Sequence, residues 1–127
     1  MVTFPDFSYG VTQGETLEEA IDMAQDLLSG LVSDRIDSGQ PLPKAARRGG
    51  RNYRQVALPA LQSAKAELYQ AFRASGLRKS ELADRLGINK SNLDRLFDLK
   101  HASRLDRIEA AFRALGKQLE IGARDAA

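Results

Sequence analysis

The sequence predicts an α+β protein: a small sheet-bearing unit followed by an all-α unit. Three observations carry this. Short β-prone runs flank one long amphipathic stretch in the first block, a breaker-rich connector follows, and beyond Pro59 the apolar residues recur at helical spacing. The 127 residues are 43% hydrophobic and 28% charged, enough for one mid-sized domain or two small ones. No run approaches the roughly 18 apolar residues of a membrane-spanning helix, and no basic-then-apolar leader opens the chain, so a cytoplasmic protein without a membrane partner is expected. With no cysteine and a single histidine, His101, neither a disulfide framework nor a thiolate nucleophile nor an all-protein zinc site can form, and no metal or cofactor is expected.

Val2-Thr3-Phe4 and Tyr9 to Gln13 are β-prone and separated by the turn-like Pro5-Asp6-Phe7-Ser8, which predicts a hairpin. Thr16-Leu17-Glu18-Glu19 has capping-box spacing, so a helix should start at Leu17. Its stripe of Leu17, Ala20, Ile21, Ala24, Leu27, Leu28, Leu31 and Val32 should lie against a sheet, with Glu18, Asp22, Asp26 and Ser29 facing water and Gly39 marking the end. The segment Ser38 to Gly50 is rich in glycine and proline, and residues 38–52 read as a mobile linker-like loop. Gly49-Gly50 among Arg47, Arg48 and Arg51 lacks the lysine-serine pair of a phosphate loop and belongs to this basic linker. Tyr53 to Leu58 alternates as a half-buried strand until Pro59. The first block, 1–58, is then β-β-α-loop-β, its core completed by another copy or a partner.

The second block, 59–127, reads as four helices. Ala60 to Ser75 carries Leu61, Ala64, Leu68, Ala71 and Phe72 on one face and ends at Gly76. Lys79 to Leu86 ends at Gly87, Lys90 to Phe97 is capped by Asn89, and Arg104 to Leu115 is capped by Ser103 and closed by Gly116. Lys117 to Ile121 alternates as a final strand, a candidate dimer contact at Leu119 and Ile121.

Lys79 to Leu96 has helix-turn-helix spacing. Ala83 falls at the close crossing, Gly87 at the left-handed turn, and Leu82, Leu86, Ile88, Leu93 and Leu96 form the apolar wedge. In a DNA-binding reading the helix from Lys90 enters the major groove. Lys90, Ser91, Asn92 and Arg95 face bases and phosphates, while Lys79, Lys100 and Arg104 hold the backbone. Asp94 and Asp98 oppose it by repelling phosphate, and His101 reads as a loop or phosphate-contacting residue. The bland alternative is a four-helix protein-binding adaptor. Alanine and glycine at the two constrained positions, with basic and amide residues on the exposed face, favour the DNA reading. Residues 1–40 hold eight acids and one base, residues 41–127 nine acids and eighteen bases, so a basic surface suits phosphate and an acidic one a basic partner.

The strings Val2-Thr3-Phe4-Pro5-Asp6-Phe7 and Val11-Thr12-Gln13-Gly14-Glu15-Thr16-Leu17-Glu18-Glu19-Ala20, the long helix, Gln40-Pro41-Leu42-Pro43 and Val56-Ala57-Leu58-Pro59 closely resemble the HicB antitoxin family. Residues 77–121 look like the Cro/repressor type of helix-turn-helix, an XRE-like module that many such antitoxins carry. The resemblance implies a partial RNase H-like first domain without catalytic carboxylates, which binds and occludes HicA, a small basic mRNA-cleaving toxin. It also implies a second domain that dimerises and represses the operon at its promoter. The acidic residues Asp6, Glu15, Glu18, Asp22 and Asp26 are the expected toxin-facing set. Family members usually have a further strand and turn before the segment equivalent to Val2, so the expectation is either an internal start site or a lost first strand. No catalytic residues are expected, because these carboxylates stand on an exposed face without a nearby base. The alternative is a stand-alone helix-turn-helix transcription regulator whose truncated first domain serves only oligomerisation or ligand and partner sensing.

Overall fold

The computed structural model describes residues 2–3, 11–12, 17–43 and 57–125. Five helices account for most of them: α1 (Leu17–Asp37), α2 (Ala60–Ser75), α3 (Lys79–Leu86), α4 (Lys90–Phe97) and α5 (Leu105–Ala114). Two strands of two residues each, β1 (Val2–Thr3) and β2 (Val11–Thr12), pair antiparallel with Val2 opposite Thr12 and Thr3 opposite Val11. They touch α1.

The expected α+β class with a partial RNase H-like sheet is thereby corrected: among the described residues the architecture is helical, and the β1–β2 ribbon is too small to form a layer. Three findings overturn it. Ala57 and Leu58 are not in a strand, Lys117 to Ile121 forms none either, and α1 is covered at its C-terminal half by a helix. Leu31, Val32 and Ile36 of α1 are buried in one cluster with Leu68, Tyr69 and Phe72 of α2. An amphipathic stripe requires a cover, but a helix meets that need as well as a sheet. The proposed strand residues Tyr53 to Val56, the cap Thr16 and the linker residues 44–52 lie outside the described residues.

Four helices converge on the second part of the core. Leu68, Leu82, Leu93 and Ile108, one from each of α2 to α5, are fully buried. Phe97 at the end of α4 packs edge-on to Tyr69 at 5.9 Å and tilted against Phe72 at 5.3 Å, so its ring joins α4 to α2. Helix ends follow local chemistry. Gly76 and Gly87 adopt left-handed backbone at φ 73° and 66°, ending α2 and α3 where a β-carbon would be strained. Ser103 does not cap α5. Arg104 occupies the N-cap position, and the Ser103 hydroxyl is used elsewhere, as described below.

The chain leaving α1 is tied down from Gly39 to Pro41. Tyr69 Oη donates to the Gln40 carbonyl at 2.8 Å, Arg73 donates to that of Gly39, and Arg35 donates to that of Pro41 at 3.3 Å. Together with the shared core, these bonds join α1 to α2.

Candidate nucleic-acid interface

Helices α3 and α4 are joined by the three residues 87–89. Gly87 turns the chain, and the Asn89 side chain accepts from the Asn92 N–H at 2.8 Å, which caps α4. Ala83 is buried where α3 packs on its neighbours, and the Ile88 N–H donates back to the Ala83 carbonyl at 3.1 Å. Arg85 Nη1 donates to the Ala114 carbonyl at 3.1 Å, which fastens α3 to α5.

One face of α4 is locked in the core by Leu93, Leu96 and Phe97. Lys90, Ser91, Asp94 and Arg95 are exposed, and their spacing places them on one continuous stripe of the opposite face, with Asp98 exposed just beyond the helix end. Of the residues expected to read DNA, the fold therefore groups Lys90, Ser91 and Arg95. Asn92 is half-buried on the flank, where with Leu86, Ile88, Leu96, Arg107 and Ala110 it lines a groove between α4 and α5. Its Oδ1 accepts from Arg95 Nη1 at 3.2 Å, so a two-point contact to adenine requires that bond to open.

The expected backbone-holding cations stand around this face. Lys79 at the start of α3 ion-pairs with Asp94 at 3.0 Å, both partners about half-exposed. The aspartate expected to repel phosphate thus neutralises one of the cations meant to bind it. Arg104 pairs with Asp106 at 2.9 Å. Exposed pairs of this kind are worth about 0–1 kcal/mol, so phosphate can displace them. Lys90 and Lys100 are exposed and make no ion pair among the described residues. Asp98 accepts the Lys100 N–H at 2.9 Å and so shapes the turn after α4.

On the acidic side, Glu18, Asp22 and Asp26 are exposed along α1 at intervals of four residues, a single line of carboxylates. Asp6 and Glu15, expected to join them, lie outside the described residues. Among the described residues no cluster of metal-ligating side chains is found, and no helix is long and apolar enough to cross a membrane.

One residue escaped the sequence reading. Lys65 on α2 is buried completely, and its Nζ donates to the carbonyls of Arg95, Asp98 and His101 at 2.9, 2.7 and 2.6 Å and contacts Ser103 Oγ at 2.8 Å. Burial pushes its pKa below the ordinary 10.5, and the nearby Asp98 carboxylate partly restores it. The signal was present in the spacing: Lys65 falls four residues after Leu61 and three before Leu68, on the apolar stripe itself.

Residues 1–67 match the family described as HicB_like antitoxin of bacterial toxin-antitoxin system. The chain is 34% identical over 120 residues to Antitoxin HicB 1 of Photorhabdus laumondii, an alignment that covers 94% of this chain and 76% of that relative. To Antitoxin HicB of Escherichia coli (strain K12) it is 33% identical over 121 residues, 95% of this chain and 87% of the relative. To Antitoxin HicB of Pseudomonas fluorescens it is 36% identical over 106 residues, 84% and 73% of the two chains. With the family match spanning more than half of its length and relatives aligned over most of the rest, the chain belongs to the HicB-like antitoxin family of bacterial toxin-antitoxin systems.

Proposed function

We propose that this antitoxin acts in the cytoplasm by occupancy and not by chemistry, at two surfaces. Residues 1–58 bind and occlude a HicA-like mRNA interferase toxin, and residues 59–127 dimerise and repress the antitoxin's own operon through a Cro/repressor-type helix-turn-helix formed by α3 and α4. The observation that carries the DNA reading is the split of α4: three core residues fix one face while Lys90, Ser91 and Arg95 stand exposed on the other. The line Glu18, Asp22 and Asp26 supports the toxin reading, because a basic partner is steered and oriented by such a row. A dimer is expected because one helix-turn-helix covers only a half-site.

Two experiments test this. Binding of the full chain to promoter DNA should weaken steeply with salt and should be lost in a Lys90, Asn92, Arg95 triple alanine variant; unchanged binding removes the recognition-helix assignment. Co-expression with the product of the adjacent small open reading frame should rescue growth and yield a stable complex. A second reading is a stand-alone regulator whose first block serves only assembly or partner sensing, and one observation favours it: α1 supplies Leu31, Val32 and Ile36 to the core that holds α2. No rescue and no complex from a soluble, folded chain selects that reading.

A further inference from the structure

The acceptors around Lys65 Nζ follow a regular order in the chain. The Arg95 carbonyl belongs to the last turn of α4, those of Asp98 and His101 to the turn beyond it, each three residues from the next. Each carbonyl already takes a backbone donor: Asp98 N on Arg95 at 3.3 Å, His101 N on Asp98 at 3.1 Å, Ser103 N on His101 at 3.0 Å. Nζ therefore meets their second lone pairs. Three carbonyls demand three protons, which an ammonium has and a neutral amine lacks. The Ser103 hydroxyl, on the same nitrogen, lies 3.3 Å from the Arg95 carbonyl and 3.1 Å from His101 Nδ1, closing the ring. A cation from α2 thus sits at the negative end of α4 and gathers the whole segment 95–103 around itself.

That segment carries exposed Lys100 and leads directly into Arg104, which opens α5. Resting on the DNA-binding reading above, we propose that Lys65 is a positioning residue for DNA binding: it holds the C-terminal end of α4 and the following turn so that Lys100 and Arg104 meet the phosphate backbone. Lys65 itself is shielded from solvent and cannot touch a phosphate. Any change it causes in the number of phosphates engaged must pass through the exposed cations it places.

The test is the salt dependence of binding by the full chain to a duplex taken from upstream of its own gene. Wild type, Lys65→Met, Ser103→Ala and Leu31→Ala are compared, with the folded fraction of each measured by circular dichroism. The slope of log affinity against log salt should fall by about 1–2 in Lys65→Met, the loss of one or two phosphate contacts, with affinity down about tenfold at fixed salt. Leu31→Ala, a core change on α1 that removes none of the polar contacts to the turn, should keep the wild-type slope, since lost stability alone does not change how many phosphates the folded chain engages. A wild-type slope in folded Lys65→Met overturns the proposal. Should Lys65→Met not fold, Ser103→Ala decides: a reduced slope supports the role and an unchanged one overturns it. If wild type binds no DNA at any salt, the DNA-binding reading fails first and the positioning role falls with it.

Discussion

Replacing Lys65 by methionine keeps the length of the side chain and removes its charge, which isolates what the ammonium does for stability. Three bonds to carbonyls are lost, and a hydrogen bond involving a charged group is worth a net of about 1.5–3 kcal/mol. Two effects work against the full sum. The carbonyls keep their backbone donors, so none is left empty, and the variant no longer has a desolvated charge, which itself costs several kcal/mol. The balance is a destabilisation of about 2–4 kcal/mol for Lys65→Met. Lys65→Ala adds a cavity beside Leu68 and should cost about 1–2 kcal/mol more. Urea denaturation of the full chain, followed by circular dichroism, reads both values, with an unchanged m-value as the check that the same surface unfolds. A Lys65→Met protein as stable as wild type, or more stable, would refute the reasoning, because it would mean that the bonds only repay the burial of the charge.

Three further outcomes are expected. At Gly87 nothing lies near an added β-carbon, so Gly87→Ala should cost only the left-handed backbone penalty, about 1 kcal/mol, and Gly87→Val more, as thermal unfolding would show. Asp94→Asn frees Lys79 from its ion pair, so promoter DNA should be bound more tightly, with a salt slope steeper by about 1 in a titration series. The Glu81 carboxyl is held below its ordinary pKa of 4.5, first by the hydrogen bond from the Arg78 side chain and then by that from the Arg78 backbone N–H. Its contribution is present in full above pH 4.5 and lost as pH falls through the lower folded value. Glu81→Gln should therefore flatten the acid limb of the stability profile, measured as denaturation midpoint against pH, and an unaltered limb would count against the pairing.

The second block was readable to the residue over α2, α3 and α4 because its signals are local. Glycines stand where left-handed turns occur, Asn89 stands where an N-cap is needed, and apolar residues mark one face of each short helix. Helix α1 was readable for the same reason, as was the row Glu18, Asp22 and Asp26, whose alignment follows from the helical repeat alone. What periodicity cannot contain is the identity of the element that covers a stripe. The α1 stripe looked as if it faced a sheet, and its C-terminal half packs on α2, because burial of apolar surface is non-directional and accepts any apolar partner. The alternation in Lys117 to Ile121 pairs with no strand among the described residues, and Ile121 is left 70% exposed.

The candidate site divides along the same line. That Lys90, Ser91 and Arg95 share a face follows from their spacing, while the pairing of Lys79 with Asp94 depends on how α3 lies beside α4, fifteen residues apart in the chain. Ser103 shows the same limit, since its position suggests a cap and its hydroxyl instead lies between Lys65 Nζ and the Arg95 carbonyl. Local chemistry decided which segments are helices, where they stop and which side chains can reach a partner. Packing decided which charges meet, because an ammonium thirty residues upstream finds the end of α4 only after the chain has paid the entropy of bringing them together.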